Sequence, residues 1–225
     1  TVRISVFEKD SCFWGGIPYG PRSGFTSLLI TPLDEFLPEF ELRPFIKWMN
    51  KNIDWLLIPY QRNDSDHLKI WLDNFQRKLV TSECEKLHLP RYFFGLYLWN
   101  KLRDSLINSR VKIDLNYIQS EVVAIELNKN NQAKFKITTS HNHCFFSKQV
   151  LLGVGIPKVR PLGMKSKIKN DISFFNDPYI PDISSSLKKI DNYILRKKSL
   201  KILIVGANAS SLELLYHITN LSSFI

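Results

Sequence analysis

The pattern of apolar and polar positions divides the chain into three stretches, and the first begins with a strand. Residues alternate over Val2–Phe7, which predicts a strand that carries Glu8 at its carboxyl tip. Ser11–Gly24 holds four glycines and two prolines, so we expect a loop with unusual backbone angles. Helical spacing then predicts three amphipathic helices. They cover Arg43–Leu57, Asp66–Val80 and Pro90–Ile107, and Pro44 lies in the first turn of the first of these helices.

The second stretch has the short β-like runs of a meander, with Asn-rich turns between them. We expect its last run to be a buried strand that ends in Gly153-Val154-Gly155 and leaves through Pro157. The four predicted strands are Val111–Ile118, Glu121–Leu127, Ala133–Thr139 and Phe145–Leu152.

The third stretch predicts the front half of a β-α-β unit that follows a basic linker. An apolar strand at Leu200–Val205, a turn at Gly206–Ser211 and a helix at Leu212–Leu221 follow one another in the order of a nucleotide-binding unit. The sequence therefore favours an α/β protein with two Rossmann-like dinucleotide-binding folds and a β-meander, both folds being incomplete in this chain.

Composition and charge narrow the class of protein to which the chain can belong. The chain has 225 residues, of which 44% are hydrophobic and 23% charged, as in globular domains with a sizeable core. No apolar stretch approaches the roughly 20 residues of a membrane helix. Much of the formal charge of +10 lies in residues 157–201, which contain eleven Lys or Arg and four Asp. Because these charges are scattered among Pro, Ser and Asn without interleaved aromatics, we expect a solvated linker or a patch that attracts a phosphorylated cofactor, and no nucleic-acid site.

The cysteines and histidines indicate no metal centre. Cys12, Cys84 and Cys144 are odd in number and far apart, which favours a reducing cytoplasm over a disulfide scaffold. Adjacent side chains of an extended segment alternate faces, so His141 and His143 would need metal-binding partners from elsewhere. A solvated hairpin turn explains this segment better.

The candidate chemistry begins at Glu8. In a Rossmann-type unit, an acidic residue at the tip of the second strand accepts hydrogen bonds from the ribose hydroxyls, about 20 residues after a glycine turn. Thr1 leads directly into a strand without an initiator Met, so we expect a missing upstream piece of about 30 residues that holds the first strand and glycine loop. The chain is therefore interpreted as a fragment.

Two glycine turns could hold phosphates. Gly15 and Gly16 allow backbone amides to approach a pyrophosphate or flavin, with Pro18 and Tyr19 at the exit, although a tight surface turn is an alternative. At the second turn Gly206 is retained, while Asn208 and Ser211 stand where a dinucleotide fingerprint has its second and third glycines. Binding there is predicted to be weaker or lost.

With these pieces in order, the chain resembles a family of mostly uncharacterised FAD-NAD(P)-binding proteins, distantly similar to flavin-dependent N-hydroxylating and Baeyer–Villiger monooxygenases. The most particular segment is Pro-Arg-x-x-x-Gly-x-Tyr at Pro90–Tyr97. The other matching segments are Val6–Glu8, Gly16–Tyr19, Leu28–Pro32, Phe45–Trp48, the strand ending at Gly155, Asp177–Tyr179, and Ile204–Gly206 with Glu213.

The resemblance implies an FAD-dependent oxidoreductase that uses NAD(P)H as hydride donor, with a monooxygenase-like reaction as one form. It implies an FAD-binding domain over 1–157, a linker over 158–199 and the start of an NAD(P)-binding domain over 200–225. No catalytic residue or substrate is indicated. The implied FAD contacts are Glu8, Gly15, Gly16, Pro18, Tyr19, Arg91, Val122, Val123 and Gly155, and the implied NAD(P)H contacts are Gly206, Asn208 and Ser211.

Two further departures from the family pattern motivate a rival hypothesis. Ile30 stands where the family tends to have Asn, and Gly153-Val154-Gly155 replaces Ala-Thr-Gly. Together with Asn208 and Ser211, they leave open a non-catalytic nucleotide-binding or regulatory protein on the same scaffold.

Overall fold

A computed structural model describes residues 1–24, 26–62, 66–80, 83–128, 134–155, 174–179, 182–196 and 201–219. These residues form a mixed α/β protein, as predicted. They fall into two compact units, the first within Thr1–Gly16 and Asn100–Arg160 and the second within Ile17–Trp99 and Pro161–Ile225. The strands are β1 (Val2–Glu8), β2 (Ile113–Gln119), β3 (Val122–Leu127), β4 (Phe135–Thr139) and β5 (Cys144–Ser147). The helices are α1 (Leu33–Phe36), α2 (Glu39–Leu56), α3 (Ile58–Gln61), α4 (Asp66–Val80), α5 (Arg91–Ile107), α6 (Ile183–Arg196) and α7 (Ala209–Thr219).

The first unit contains a parallel strand pair and a three-stranded meander. β1 pairs with β2 from Val2 opposite Ile113 to Glu8 opposite Gln119, so both strands end at one edge. β3, β4 and β5 form an antiparallel sheet in that order. Phe7 on β1 packs edge-on against Phe145 on β5, with ring centroids 5.0 Å apart.

The second unit has an aromatic core between helices. α2 and α4 present apolar residues every three or four positions, which places Leu42, Phe45 and Phe75 on buried helix faces. Trp71 and Phe75 of α4 stack with ring centroids 5.1 Å apart. Phe45, Phe75 and Phe93 are fully buried. Burial of such side chains stabilises the fold by about 1.5–3 kcal/mol each.

The start predicted for α2 is wrong. The helix begins at Glu39, after Pro38 with its φ of −64°, so Pro44 lies inside the helix. An interior proline removes one backbone hydrogen bond. The buried stripe that includes Leu42, Phe45 and Met49 runs past Pro44 on both sides and keeps the helix continuous.

The strand predicted at Phe145–Leu152 is shorter than expected, and the strand predicted at Leu200–Val205 does not form over its described residues. β5 ends at Ser147, and Leu151 and Leu152 are 98% and 66% exposed. Residues 201–207 have no regular structure, and Leu203 is 86% exposed; Leu200 lies outside the described residues. A strand needs a neighbour for its backbone hydrogen bonds, and no described strand pairs with residues 148–152 or 201–207.

Part of the stretch expected to be linker is a helix. α6 buries Ile183, Ser186 and Ile190 at helical spacing. Asp182 caps it, because its Oδ1 accepts a hydrogen bond from the Ser185 amide at 2.7 Å. Residues 158–173, 180–181 and 197–199 lie outside the described residues. The domain boundaries remain a prediction.

Candidate nucleotide-binding site

Glu8 stands where the sequence predicted it, at the carboxyl tip of β1. Its side chain is half-buried, and its Oε1 accepts a hydrogen bond from the Asp10 amide at 3.2 Å. Because β1 and β2 are parallel, the tip of β1 lies beside Gln119, at the end of β2. An acceptor at the carboxyl edge of a parallel pair is the arrangement that takes ribose hydroxyls in dinucleotide-binding sheets.

The loop after β1 has the unusual backbone predicted for it. Trp14 and Gly16 both have positive φ, 71° and 55°, and a non-glycine residue in this region signals a constrained backbone. The Trp14 indole donates a hydrogen bond to the Tyr117 hydroxyl at 3.3 Å, and Phe13 packs edge-on against the same ring. The loop is thereby fixed on β2, with Gly15 buried and Gly16 exposed.

Pro18 and Tyr19 continue this loop into the second unit. The carbonyl of Pro18 accepts a hydrogen bond from the Ser23 hydroxyl at 2.9 Å. The Tyr19 ring packs edge-on against Phe94 of α5 at 5.2 Å. Both residues therefore make contacts that stabilise the second unit, and sequence reasoning had assigned them only to the cofactor.

Val122 and Val123 lie at the start of β3, where the register with β4 shifts. Val122 pairs with Thr139, and the irregularity falls between Val122 and Ala124, leaving Val123 58% exposed. A bulge leaves local backbone groups outside the ladder. At the other end of the meander segment, Gly155 has a φ of 64°, and none of the described residues lies within 4 Å of where its Cβ would stand.

The His141–Cys144 segment is the hairpin turn that the sequence favoured. Asn142 has a φ of 60°, and the His143 carbonyl accepts a hydrogen bond from the Thr139 amide at 3.0 Å. His141 Nδ1 lies 3.0 Å from the Ser120 hydroxyl. Within the described ranges, no group of three His, Cys, Asp or Glu side chains is placed to hold a metal ion.

Arg91 is placed by a short antiparallel bridge between Leu28 and Pro90. Its Nε donates to the Leu28 carbonyl at 3.0 Å, and its Nη1 lies 3.4 Å from Glu213 Oε2. Both side chains are largely buried, at 16% and 11% exposure. Arg91 therefore holds the loop before α1 and α7 together through a buried ion pair.

Two more side chains complete this buried group, and the sequence did not predict either as a site residue. The Tyr179 hydroxyl donates a hydrogen bond to Glu213, and burial together with this bond raises the pKa of Tyr179. Burial lowers the pKa of His217, one helical turn after Glu213 on α7. The i, i+4 spacing of Glu213 and His217 is the sequence signal that could have placed both side chains on the same face of α7.

The turn before α7 begins with Gly206 as predicted, but the Ser211 amide in the first turn of α7 already donates a hydrogen bond to Asn208. Gly206 has a φ of 116°. Asn208 caps α7, since its Oδ1 accepts from the Ser211 amide at 3.2 Å and from the Ser211 hydroxyl at 3.1 Å. As it stands, this turn does not offer the Ser211 amide to a phosphate.

None of the described helices is long and apolar enough to cross a bilayer.

The chain is similar to longer bacterial proteins. An uncharacterised protein of Mycobacterium bovis is 28% identical over 222 residues, and uncharacterised proteins of two strains of Mycobacterium tuberculosis match it equally. Each match covers 96% of this chain and 41% of the relative, so the chain spans about two fifths of their length. No solved structure matches it.

A family model described as FAD-NAD(P)-binding matches residues 1–157. This range contains β1 with Glu8, the Gly15–Gly16 loop and the meander. A nucleotide-binding role of the flavoprotein type follows, and the chain belongs to the FAD-NAD(P)-binding family.

Proposed function

We propose that the chain carries the FAD site of an FAD-dependent oxidoreductase that takes a hydride from NAD(P)H, with a monooxygenase-like reaction as one form of this activity. The observation that carries the proposal is Glu8 at the carboxyl end of a parallel strand pair, inside the range that matches the family. FAD, when bound, supplies the electron-transfer chemistry.

The residues of the first unit fit FAD. Glu8 would hold the ribose through its carboxylate, and Gly16, exposed at positive φ, would let backbone approach the cofactor. Val122 and Val123 would offer backbone groups at the irregular start of β3. Gly155 has no described residue within 4 Å of its Cβ position and would allow close contact. Arg91 lies in the second unit, where its guanidinium pairs with Glu213, and its contact with FAD stays a prediction from the resemblance.

The hydride donor would be held at Gly206, Asn208 and Ser211. For the Ser211 amide to meet a phosphate, the Asn208 side chain must first release it. The proposed organisation remains FAD binding over 1–157, a linker over 158–199 and the start of NAD(P) binding over 200–225. The basic charge of the linker favours NADPH, and the free cysteines favour the cytoplasm.

The second candidate is a non-catalytic nucleotide-binding or regulatory protein on the same scaffold. The Asn208 cap favours it, because the cap satisfies the helix amide that a dinucleotide phosphate would use. Such a protein would bind FAD through the first unit without accepting electrons from NAD(P)H.

Loss of the Glu8 carboxylate is expected to weaken FAD binding. In the natural full-length protein, Glu8→Ala removes the acceptor of two charge-assisted hydrogen bonds, and we expect the dissociation constant of FAD to rise about 100-fold. Glu126→Ala is the matched control, because Glu126 is also a strand carboxylate of the first unit and its side chain is 62% exposed. Quenching of flavin fluorescence measures the dissociation constant of FAD for both variants. Equal FAD affinity in the two variants would remove Glu8 from the site.

A further inference from the structure

Glu8 shares one face of the parallel strand pair with Tyr117. Glu8 lies opposite Gln119 in the register, and side chains two residues apart in a strand point to the same face. From the spacing along and between strands, the Cα atoms of Glu8 and Tyr117 lie roughly 8 Å apart. Phe7 points to the opposite face, where it packs against Phe145 of the meander. The contact with β5 therefore lies on the other side of the pair from Glu8.

The loop after β1 places the Trp14 indole on the Glu8 face. The indole N–H donates a hydrogen bond to the Tyr117 hydroxyl at 3.3 Å, and the two rings meet edge to face with centroids 6.3 Å apart. Phe13 packs against the same tyrosine ring at 5.0 Å. Trp14 is nevertheless 44% exposed. The indole is therefore anchored through its edge, while part of its flat surface is open to another ring.

The backbone at Trp14 is in a conformation that a bulky residue rarely adopts. Its φ of 71° lies in the left-handed region that glycine tolerates, and the next two positions are glycines while this one is not. Burial of the ring does not compensate this strain, because the ring is only partly buried. Strained residues of this kind cluster at ligand sites, where they aim a side chain at the ligand. The loop conformation therefore favours a ligand contact by the indole.

The chemistry of FAD identifies the part of the cofactor that meets Trp14. FAD contains one ribose, and adenine is attached directly to it. When the Glu8 carboxylate holds the ribose hydroxyls, the adenine lies among the next side chains on the same face. Every nucleobase has a flat π-face that stacks on an aromatic side chain, and tryptophan has the largest such surface.

We propose that Trp14 is the side chain on which the adenine ring of FAD stacks. This inference rests on the proposed FAD site at Glu8, and it does not depend on hydride transfer from NAD(P)H.

Trp14→Leu tests the stacking contact, because leucine keeps an apolar side chain and removes the aromatic ring. In the natural full-length protein, freed of flavin, we expect the dissociation constants of FAD and of ADP each to rise about tenfold. ADP contains the adenine and the ribose without the flavin, so equal weakening of both ligands places the loss at the adenine. Trp14→Phe keeps a flat ring and should bind both ligands within about threefold of the unsubstituted protein. Isothermal titration calorimetry measures all these constants.

Trp55→Leu is the matched control. Trp55 is 42% exposed, and its indole N–H also donates to a side chain, the Asn52 amide oxygen at 2.9 Å. This variant should bind FAD and ADP as the unsubstituted protein does. Unchanged FAD affinity in Trp14→Leu, weaker FAD with unchanged ADP, or a Trp14→Phe variant as weak as Trp14→Leu would each overturn the stacking contact and leave the FAD site standing. An unsubstituted protein that binds no FAD would overturn the FAD site itself, and the stacking contact with it.

Discussion

Replacing Gly95 with alanine is expected to destabilise the protein by about 3 kcal/mol, through overpacking that the backbone cannot relieve. A methyl group on Gly95 would overlap the carbonyl oxygen of Tyr19, and the carbonyl carbon and Cβ of Tyr19 would lie 3.1 and 3.2 Å from it. The first two of these atoms belong to the backbone, so a side-chain rotation cannot clear them.

The surroundings of Gly95 leave little room for adjustment. Gly95 is buried in α5 between Phe93 and Tyr97, which are both buried in the aromatic core. The Tyr19 ring is held against Phe94. Either the loop or the helix must move, and the close packing of side chains in a protein interior resists such a movement.

Gly153→Ala is the matched control for this substitution. Among the residues that the structure describes, nothing lies within 4 Å of a Cβ at Gly153, so the change in the free energy of unfolding should stay within about 0.5 kcal/mol. Urea unfolding followed by circular dichroism measures both variants. If Gly95→Ala is too unstable to purify, the yield of folded protein relative to Gly153→Ala gives the same ordering. Equal stability of the two variants would contradict the close approach of α5 and the Tyr19 loop.

Replacing Glu213 with glutamine is expected to cost about 2 kcal/mol of stability. The substitution keeps the shape of the side chain and removes its charge, which leaves the Arg91 guanidinium, only 16% exposed, without its anion. The Tyr179 hydroxyl also loses a charged acceptor. A buried charge without a counterion is the costly half of a broken ion pair.

The pair between Glu126 and Lys136 provides the comparison on the surface. Its atoms lie 3.8 Å apart, and its side chains are 62% and 40% exposed. Glu126→Gln should therefore change the free energy of unfolding by about 0.5 kcal/mol or less. If Glu213→Gln lowered the free energy of unfolding as little as Glu126→Gln in the same denaturation experiment, the ion pair would not hold α7 to the rest of the second unit.

Periodicity located the elements whose stability comes from their own apolar face. α4 has the predicted bounds, and α5 starts one residue after the predicted Pro90. β1 runs from Val2 to Glu8 as the alternation indicated. Each of these elements has a regular stripe or alternation in the sequence, although Val2 and Ile4 of β1 stay 49% and 39% exposed.

The predictions failed where a segment depends on partners that the local sequence does not specify. Residues 150–152 and 202–205 are as apolar as buried strands, yet the described part of the chain provides no neighbouring strand for them. Hydrophobicity identifies a candidate strand, whereas backbone pairing decides whether it forms.

The sequence placed one candidate site residue correctly at a strand tip, and its role in FAD binding stays a prediction. Glu8 stands at such a tip. Arg91 was found by its motif, but the sequence could not show that Glu213 and Tyr179 share its charge, because these residues are more than 80 positions apart in sequence from Arg91. The Pro-Arg-x-x-x-Gly-x-Tyr segment now has a structural reading as well: Pro90 bridges Leu28, and Gly95 admits Tyr19.

The central claim is that this scaffold holds FAD and passes hydride to it from NAD(P)H. Anaerobic titration of the FAD-reconstituted, natural full-length protein with NADPH, followed by visible absorbance, tests that claim most directly. We expect a yellow protein whose flavin absorbance is bleached in proportion to the NADPH added. A protein that stays colourless after reconstitution, or a bound flavin that neither NADPH nor NADH bleaches, would contradict it.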